Sequence, residues 1–354
     1  MPVRNITFRE AIREALFQCM DKDKRVFLLG CGVTSPTSTF GSMEGLMEKF
    51  GKDRVIETPI AENGMTGVAI GAGLTGMRPV IIFQRMDFML LAMDQIINHA
   101  AKWCYMYGGK MSIPLTMRAI IGRGWGQGAQ HSQPLQALFA HIPGLKVVMP
   151  SNPFDVKGLL ISSIEDKNPV IFLEHRLLYY HRGRVPSEYY TVPLGKGRIV
   201  KKGKDATVVA VSLMVHEAER ASLKLKRQDK IDIEIIDLRC LRPLDKELIL
   251  ASVKKTGRLI IADTGWKTFG IGAEISALIA EFGYKNLKAP IKRIGLPEAP
   301  TPTSVYLENV YYPGAEQIIQ VTRDLIYNRR KPASLKSKFI ARGNFYRSQF
   351  KGPF

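Results

Sequence analysis

The sequence is short of several features, and each shortage excludes a class of protein. Its 354 residues include only four cysteines, Cys19, Cys31, Cys104 and Cys240. They are scattered without CxxC spacing, so we expect neither a zinc site nor a disulfide framework. We predict buried thiols, with Cys31 as the exception.

No apolar run approaches the roughly 18 residues that a membrane span requires. The first segment places Glu10 and Glu14 inside a periodic apolar pattern and has no small-residue cleavage site. It therefore predicts a first helix and not a signal peptide. The cytoplasm is the expected location.

Signatures of three enzyme classes are also absent. The sequence has no GxxxxGK[ST], no HExxH and no GxSxG with a partner pattern, which excludes P-loop hydrolases, zinc proteases and serine hydrolases. Gly71, Gly73 and Gly76 do match GxGxxG, but they end a helical pattern and precede a strand at Val80. A dinucleotide fingerprint follows a strand and opens a helix, so we do not interpret this match as a nucleotide site.

Acidic residues are scarce. The chain has 32 Asp and Glu against 51 Lys and Arg, a net charge of +19, and residues 328–354 carry eight of the basic residues and no acid. Such a charge favours acidic partners, but no nucleic-acid motif or aromatic platform accompanies it. Two interpretations of this basic tail stay open: a solvated extension, or a docking segment for an acidic partner. Contact with nucleic acid or membrane is not expected.

Short apolar runs that suit buried strands alternate with helical patterns along the chain. This alternation predicts a mostly parallel sheet with helices on both faces. We therefore predict an α/β fold of two doubly wound domains, at 1–180 and 205–327, with a linker at 181–204. Helices are predicted at 4–20 and 88–107, among other places.

Residues 58–77 contain the most informative carboxylate. Glu62 precedes a run of Gly, Ala and Thr, which is typical of a helix start with a flank bare enough for a flat ligand or another backbone. On composition alone, an ordinary helix-start acid is the favoured interpretation of Glu62. Downstream, a Gly-rich loop at 121–133 carries His131, and Phe88 follows a predicted strand end, where α/β sheets bind ligands.

Six segments together carry a family resemblance. They are TPIAENGMTGVAIGAGLTGMRPV, AMDQIINHAAKWCYMYGG, GAQHSQPLQALFAHIPGLKVVMPSNPFDVKGLL, NPVIFLEHRLLY, LRPLD and GWKTFGIGAEI. Over about residues 3–327 the chain resembles the beta subunit of the thiamine-diphosphate component of 2-oxoacid dehydrogenase complexes, above all the pyruvate and acetoin type. The resemblance implies a pyrimidine-binding domain followed by a transketolase C-terminal-type domain.

The resemblance also implies roles for individual residues. Glu62 would hydrogen-bond N1′ of the aminopyrimidine and activate the cofactor, with Phe88 packed against the ring. His131 would face the substrate, and Gln84 and Ile60 would line the same pocket. The implied reaction decarboxylates a small 2-oxoacid and passes the acyl group to a lipoyl acceptor on an acyltransferase core.

Two ions are part of the same expectation. The diphosphate is normally held through magnesium by a GDG motif, which this sequence lacks, so an alpha subunit in an α2β2 heterotetramer would supply that half of the site. A structural potassium ion is implied at hard oxygen ligands. The positions are Leu115, Ser163, Ile164, Asp166 and Asn168.

The chain departs from the family pattern near the implied pocket. Cys31 and Gly32 stand where the family usually carries an acidic pair, and Arg85 and Met86 replace Thr and Phe. The loop at 122–128, GRGWGQG, is bulkier and more basic. We expect a substrate with more negative charge.

Two alternatives stay open, the first because of these departures and the second because of the net charge of +19. One is a thiamine-dependent carboligase with a non-lipoyl acceptor, motivated by Arg85, Arg123 and Trp125. The other is a non-catalytic basic scaffold protein. The sequence does not identify the 2-oxoacid or the acceptor, because chain-length selectivity depends on pocket shape.

Overall fold

The structure is a computed structural model that describes residues 3–35, 38–123 and 126–327. The predictions for the basic tail and for Trp125 lie outside these residues. None of the described helices has the length and apolar character needed to cross a membrane. Cys19 and Cys240 are buried, whereas Cys104 is partly exposed, as Cys31 is.

The described residues form strands and helices in alternation. The strands are β1 (Val3–Thr7), β2 (Val26–Gly30), β3 (Val55–Glu57), β4 (Arg78–Phe83), β5 (Thr116–Ile121), β6 (Lys146–Val148), β7 (Val170–His175), β8 (Arg182–Pro186), β9 (Arg198–Lys201), β10 (Ala206–Ala210), β11 (Ile233–Asp237), β12 (Cys240–Arg242), β13 (Leu259–Trp266) and β14 (Lys292–Leu296). The α-helices are α1 (Phe8–Lys22), α2 (Leu46–Phe50), α3 (Glu62–Leu74), α4 (Trp103–Met106), α5 (Gln136–His141), α6 (Pro153–Glu165), α7 (Leu213–Asp229), α8 (Lys246–Thr256), α9 (Ile271–Phe282), α10 (Val305–Tyr311) and α11 (Ala315–Ile326).

The larger sheet has the strand order β12-β6-β7-β5-β4-β2-β3. All of its pairs are parallel except β12 with β6. Successive residues of β2 serve opposite cores: Val26 and Leu28 pack with α1 and α6, while Phe27 and Leu29 pack with α3. Apolar residues at every position therefore suit a strand that is covered on both faces.

The smaller sheet has the order β14-β13-β10-β11-β9, with β9 as an antiparallel edge. Helices α7 and α11 cover one face. On the other face Ile249 of α8 and Ile275 of α9 belong to the same continuous core as Phe27 of the larger sheet. The two units are therefore joined by shared apolar packing, and the predicted α/β fold with mostly parallel sheets is confirmed.

The predicted linker at 181–204 is not purely a connection. It contains β8, which pairs with β1 in a two-stranded sheet, and β9, which joins the smaller sheet. Strand β12 crosses in the other direction and extends the larger sheet next to β6. Backbone hydrogen bonds thus connect the halves of the chain at several points.

Two predicted helices differ from the structure. At 4–20 the chain first forms β1, and α1 starts only after Thr7, whose hydroxyl accepts from the Glu10 N–H at 3.3 Å while the Glu10 carboxylate accepts from the Thr7 N–H at 2.6 Å. This reciprocal cap fixes the helix start. The helix predicted at 88–107 is three short pieces: a 3₁₀ segment (Met86–Ala92), a π-helical segment (Gln95–Ala100) and α4.

Candidate active site

Helix α3 presents Glu62 in its first turn. The helix begins at Glu62, where the sequence predicts a helix start, and no side chain caps this end. The free backbone N–H groups of the first turn therefore place a positive potential at this end of the helix. Glu62 is half-buried, so part of its side chain is accessible to a group that approaches from outside the chain.

The two flanks of α3 differ. A Cβ added at Gly71 would meet no atom within 4 Å, and one at Gly64 would meet only the Ala61 Cβ at 3.9 Å. On the inner flank, a Cβ at Gly73 would lie 3.2 Å from Cγ2 of Ile113. The helix is thus packed closely on one side and bare on the other, which permits close approach of a flat ligand or a partner backbone.

Gln84 connects the end of β4 to the region of Glu62. Its Nε2 donates to the carbonyl oxygen of Cys31 at 2.9 Å. Burial of the Cys31 thiol, with the carboxylates of Glu57 and Glu62 nearby, raises the pKa of that thiol. Since Glu62 acts electrostatically on Cys31, the three groups occupy one region at the carboxyl ends of β2 and β4.

Phe88 and His131 form a ring pair. Their rings meet edge to face with centroids 5.2 Å apart. The backbone N–H of Gln133 donates to Oδ1 of Asp87 at 3.0 Å, so the loop after β5 folds back over the segment after β4. Both rings are half-buried, and the contact holds the imidazole beside the aromatic face.

A further link joins the ring pair to α3. Asn63 Nδ2 donates to the carbonyl oxygen of Leu91 at 3.5 Å, which connects the start of α3 to the 3₁₀ segment that carries Phe88. The carboxylate and the ring pair therefore lie on the same side of the sheet. Ile60 is 79% exposed and stands at the margin of this surface.

The sequence analysis did not identify Glu57, the carboxylate that shapes the loop after β2. It accepts hydrogen bonds from the Gly32 N–H, from the Thr34 N–H at 3.1 Å and from the Thr34 hydroxyl at 2.9 Å. Burial opposes ionisation of this carboxyl, but the hydrogen bonds from Gly32 and Thr34 hold its pKa below the usual value. Its position at the end of β3, before the loop of Glu62, is the signal that marks it.

Two more residues were missed at the end of β7. His175 and Arg176 are both fully buried, and they lie close to Arg85 and Arg123. The segment EHRLLY entered the sequence analysis only as part of a resemblance. The available physical signal is that β7 ends at His175 and lies next to β5, the strand that precedes Arg123.

The five predicted potassium positions are near one another, but several of their oxygens already accept hydrogen bonds. The Leu115 carbonyl accepts from the Val170 N–H at 2.9 Å, as part of the sheet. The Ser163 carbonyl accepts from the Thr116 hydroxyl at 3.0 Å.

The remaining potassium positions surround an arginine and a lysine. Arg78 Nη1 donates to the carbonyl oxygens of Ile164 at 2.8 Å and Asp166 at 3.1 Å. The Asp166 carboxylate accepts from Lys146 and from the backbone N–H of Asn168. The chain's own cations thus occupy these oxygens. Separately, residues 3–35, 38–123 and 126–327 contain no group of three or more His, Cys, Asp or Glu placed to hold a metal.

The loop predicted at 263–272 mediates a contact between domains. Gln136 Nε2 donates to both carboxylate oxygens of Asp263 at 3.0 Å. Burial raises the pKa of Asp263 to about 6, although the Gln136 amide opposes the shift. Farther along, Trp266 Nε1 donates to the Ala299 carbonyl at 3.2 Å, while Phe269 is 93% exposed.

The chain matches two family models. One, described as transketolase, pyrimidine binding domain, matches residues 4–182, and the other, transketolase, C-terminal domain, matches residues 195–318. A solved structure described as a split gene transketolase, inactive beta4 tetramer, aligns with a TM-score of 0.74 at 22% identity. The alignment covers 92% of this chain and 99% of that chain, and it supports the same fold.

Curated relatives extend over almost the whole chain. It is 43% identical over 335 residues to the acetoin:2,6-dichlorophenolindophenol oxidoreductase subunit beta of Bacillus subtilis, covering 91% of this chain and 98% of the relative. It is 40% identical over 322 residues to the pyruvate dehydrogenase E1 component subunit beta of Rickettsia conorii, again covering 91% and 98%.

Proposed function

The chain belongs to the family of beta subunits of pyruvate and acetoin dehydrogenase E1 components, and we propose that it supplies the pyrimidine-binding half of a thiamine-diphosphate-dependent 2-oxoacid dehydrogenase. The observation that carries the proposal is the accessible carboxylate of Glu62 at the head of a bare helix flank, beside the pair of Phe88 and His131.

The residues present suit a thiazolium cofactor. When bound, thiamine diphosphate supplies an acidic carbon that adds to the carbonyl of a 2-oxoacid. The open space beside Gly64 and Gly71 would admit a flat ring, and the Glu62 carboxylate would share a proton with a nitrogen of that ring. The positive end of the helix dipole lies beside this carboxylate.

Phe88 and His131 act as a unit in this proposal. Phe88 gives the ring an apolar surface, and its edge-to-face contact fixes the orientation of the His131 imidazole toward the substrate. Gln84 is positioned by its hydrogen bond to the Cys31 carbonyl. Ile60, 79% exposed in this chain, would be covered when the pocket is completed.

We propose that an alpha subunit completes the pocket in an α2β2 heterotetramer, and that it holds the magnesium and the diphosphate. Exposed apolar side chains surround the candidate site: Ile60 is 79%, Val68 65% and Leu91 61% exposed. Together with the bare glycine flank of α3, they form a surface suited to a partner. A lipoyl acyltransferase core would accept the acyl group.

Potassium and location are further parts of the proposal. A potassium ion at the Ile164 and Asp166 carbonyl oxygens would have to displace the Arg78 guanidinium or share these oxygens with it. Its support is the convergence of hard oxygens there. Cytoplasmic location is supported by the cysteines, which are all free in the described chain.

Co-expression with an alpha-type chain from the same genome tests the function. The purified pair should decarboxylate 2-oxoacids with an artificial electron acceptor, and the Glu62→Ala pair should not. Inactivity of the wild-type pair with every 2-oxoacid, or full activity of the variant, would contradict the proposal. The two relatives named above favour neither the carboligase nor the scaffold alternative. The basic tail that motivates the scaffold alternative lies outside the described residues.

A further inference from the structure

Three neighbouring strands of the larger sheet end in cationic or imidazole side chains. Arg85 follows β4, Arg123 follows β5, and His175 and Arg176 stand at the end of β7. The strands are adjacent in the order β7-β5-β4, so their carboxyl ends meet. The exposed fractions are only 3% for Arg85, 6% for Arg123 and 0% for the other two. We call these four residues the basic cluster.

Gly122 is the backbone element around which the basic cluster is built. Its carbonyl oxygen accepts from Arg85 Nη2 at 2.8 Å. An added Cβ there would lie 2.5 Å from His175 Nε2, and its φ is +87°. His175 Nδ1 accepts from the Leu177 N–H at 3.3 Å, so a neutral imidazole carries its hydrogen on Nε2, directed toward Gly122.

The carboxylates around the basic cluster leave Arg85 without full compensation. Asp87 Oδ2 lies 3.8 Å from Arg85 Nε, outside hydrogen-bond distance. Glu174 is engaged by Arg118 at 2.5 Å and by Tyr179. Among the residues that the structure describes, Arg85 Nε, Arg85 Nη1 and His175 Nε2 are buried without a hydrogen-bond partner.

Arg123 and Arg176 bring further positive charge and are held by aromatic rings. The Arg176 guanidinium lies 3.7 Å from the ring centroid of Phe40, and that of Arg123 lies 4.5 Å from the ring centroid of Tyr312. Arg123 Nη1 also donates to the Glu308 carbonyl at 3.3 Å. The rings hold both positive charges in place beside Arg85 and His175.

The protonation states agree with this arrangement. Burial lowers the pKa of Arg85 to about 10, despite Asp87, and burial with Arg85 nearby lowers that of Arg176 to about 9. Burial, with Arg123 and Arg85 close by, lowers the pKa of His175 to about 3. At neutral pH Arg85 and Arg176 are charged and His175 is a neutral donor. A buried charge that is only partly compensated, as that of Arg85 is by Asp87, is costly unless a further opposite charge joins it.

The basic cluster is connected to the proposed pocket through the chain and through one backbone hydrogen bond. Arg85 follows Gln84 in the chain, and Asp87 is tied to the loop of His131 through the Gln133 N–H. Arg85 lies just after the end of β4. Phe88 and His131 are half-buried, so part of each ring is accessible. An anion at the cluster would therefore be one end of a ligand whose other end reaches the ring pair.

We propose that the basic cluster is an anion subsite that binds a second anionic group of the substrate, apart from the carboxylate lost in the reaction. This inference rests on the proposed function. The substrate class is then a 2-oxoacid with a distal carboxylate or phosphate. Arg85 and His175 would donate to the anion, and Arg123 and Arg176 would provide positive potential.

A matched pair of substrates tests the subsite. The purified complex with its alpha chain would be assayed with 2-oxoglutarate and with 2-oxopentanoate, which differ by a terminal carboxylate against a methyl group. Phosphohydroxypyruvate would distinguish a phosphate from a carboxylate. We expect kcat/KM to favour an anionic substrate by about 10- to 100-fold, the range of a buried charge-assisted hydrogen bond.

Variants of Arg85 test whether this residue causes the higher kcat/KM for the anionic substrate. Arg85→Met should reduce kcat/KM for the anionic substrate by about 10- to 100-fold and leave that for 2-oxopentanoate nearly unchanged. Arg85→Lys, which keeps the charge, should retain part of the preference. Arg13→Met, at an exposed ion pair with Glu44, removes one charge elsewhere and should change neither value.

Each result distinguishes the subsite from the proposed function. Equal kcat/KM for the matched pair, or an unchanged preference in Arg85→Met, would overturn the subsite while the function stands. If no 2-oxoacid reacts, the function fails, and calorimetry with inorganic phosphate still decides on anion binding. Phosphate that binds the wild type and Arg13→Met but not Arg85→Met supports the subsite, whereas equal or absent binding in all three overturns it.

Discussion

The carboxyl ends of the two parallel sheets carry different polar groups and use them differently. In the larger sheet they carry the basic cluster and the half-buried pocket residues. In the smaller sheet they carry Asp237, which accepts from the Ser151 hydroxyl at 2.5 Å, and Asp263, which accepts from Gln136. Ser212, after β10, donates to the Pro150 carbonyl at 2.9 Å.

Ser151, Gln136 and Pro150, the partners named above, come from the first half of the chain, although Asp237 also accepts from the nearby Arg239 N–H at 3.0 Å. The polar groups of the smaller sheet are therefore used to join the two domains, with the carboxylates fully buried. At the larger sheet, by contrast, Arg85 and His175 keep donor atoms without partners in the described chain. The two edges are equivalent in topology, but the edge of the smaller sheet joins the domains, whereas that of the larger sheet is suited to bind a ligand.

The largest expected effect is at the pocket edge. Glu62→Gln keeps the size of the side chain but cannot remain an anionic partner for a ring nitrogen. We expect kcat for decarboxylation to fall by about 10²- to 10⁴-fold, measured on the complex with an alpha chain. Glu48→Gln, an exposed acid on α2, is the matched control and should retain full turnover.

The next effect is on stability at the same edge. In Gly122→Ala the new methyl group would lie 2.5 Å from the His175 ring at a φ of +87°. The strained backbone and the clash together should lower the free energy of unfolding by roughly 2–5 kcal/mol, measured by urea denaturation. Gly45→Ala has a similar φ of +80° with no atom within 4 Å. A loss as large in Gly45→Ala would show that the His175 contact contributes nothing.

At the smaller sheet the effect depends on pH. Burial raises the pKa of Asp263 from 3.8 to about 6, so the folded state binds the proton more tightly than the unfolded chain. Its stability contribution is therefore complete below pH 3.8 and is lost as pH rises through 6, by up to about 3 kcal/mol. Asp263→Asn should remove this loss. Its free energy of unfolding relative to that of wild type should therefore increase between pH 4 and about 6.5, as measured by denaturation curves.

Asp53→Asn provides the control for that pH series, because Asp53 is exposed. The difference between wild type and Asp53→Asn should stay constant over the same pH range. If the difference in free energy of unfolding between Asp263→Asn and wild type were also independent of pH, the buried carboxyl would not be protonated preferentially in the folded state.

The smallest expected effect concerns Cys31. Gln84 is held by the carbonyl oxygen of Cys31, not by its thiol, so Cys31→Ala should keep this hydrogen bond. We expect turnover to change by no more than about twofold. A much larger loss would give the thiol a direct part in the pocket.

Local patterns predicted part of the fold and of the site. The helix start at Glu62 follows from the small residues after it, and the alternation of apolar runs predicts the parallel sheets. The strand β1 was missed because residues 4–20 share one helical periodicity, and only pairing with β8 makes the first of them extended. The broken helix after Phe88 has no Pro or Gly to mark its π segment.

The sequence did not predict the basic cluster, for a different reason. Arg85, Arg123 and His175 are separated by tens of residues, and only the strand order β7-β5-β4 brings them together. The sequence analysis identified Arg85 and Arg123 singly as departures from a family pattern. Their shared burial around Gly122 depends on long-range pairing, which no local periodicity contains.

The central claim is that this chain contributes one half of a shared cofactor site. Isothermal titration calorimetry with thiamine diphosphate and magnesium, on this chain alone, on the alpha chain alone and on the purified complex, tests it most directly. The account predicts saturable binding at one site per pair of chains that reaches full affinity only in the complex. Equally tight binding to this chain alone would contradict it.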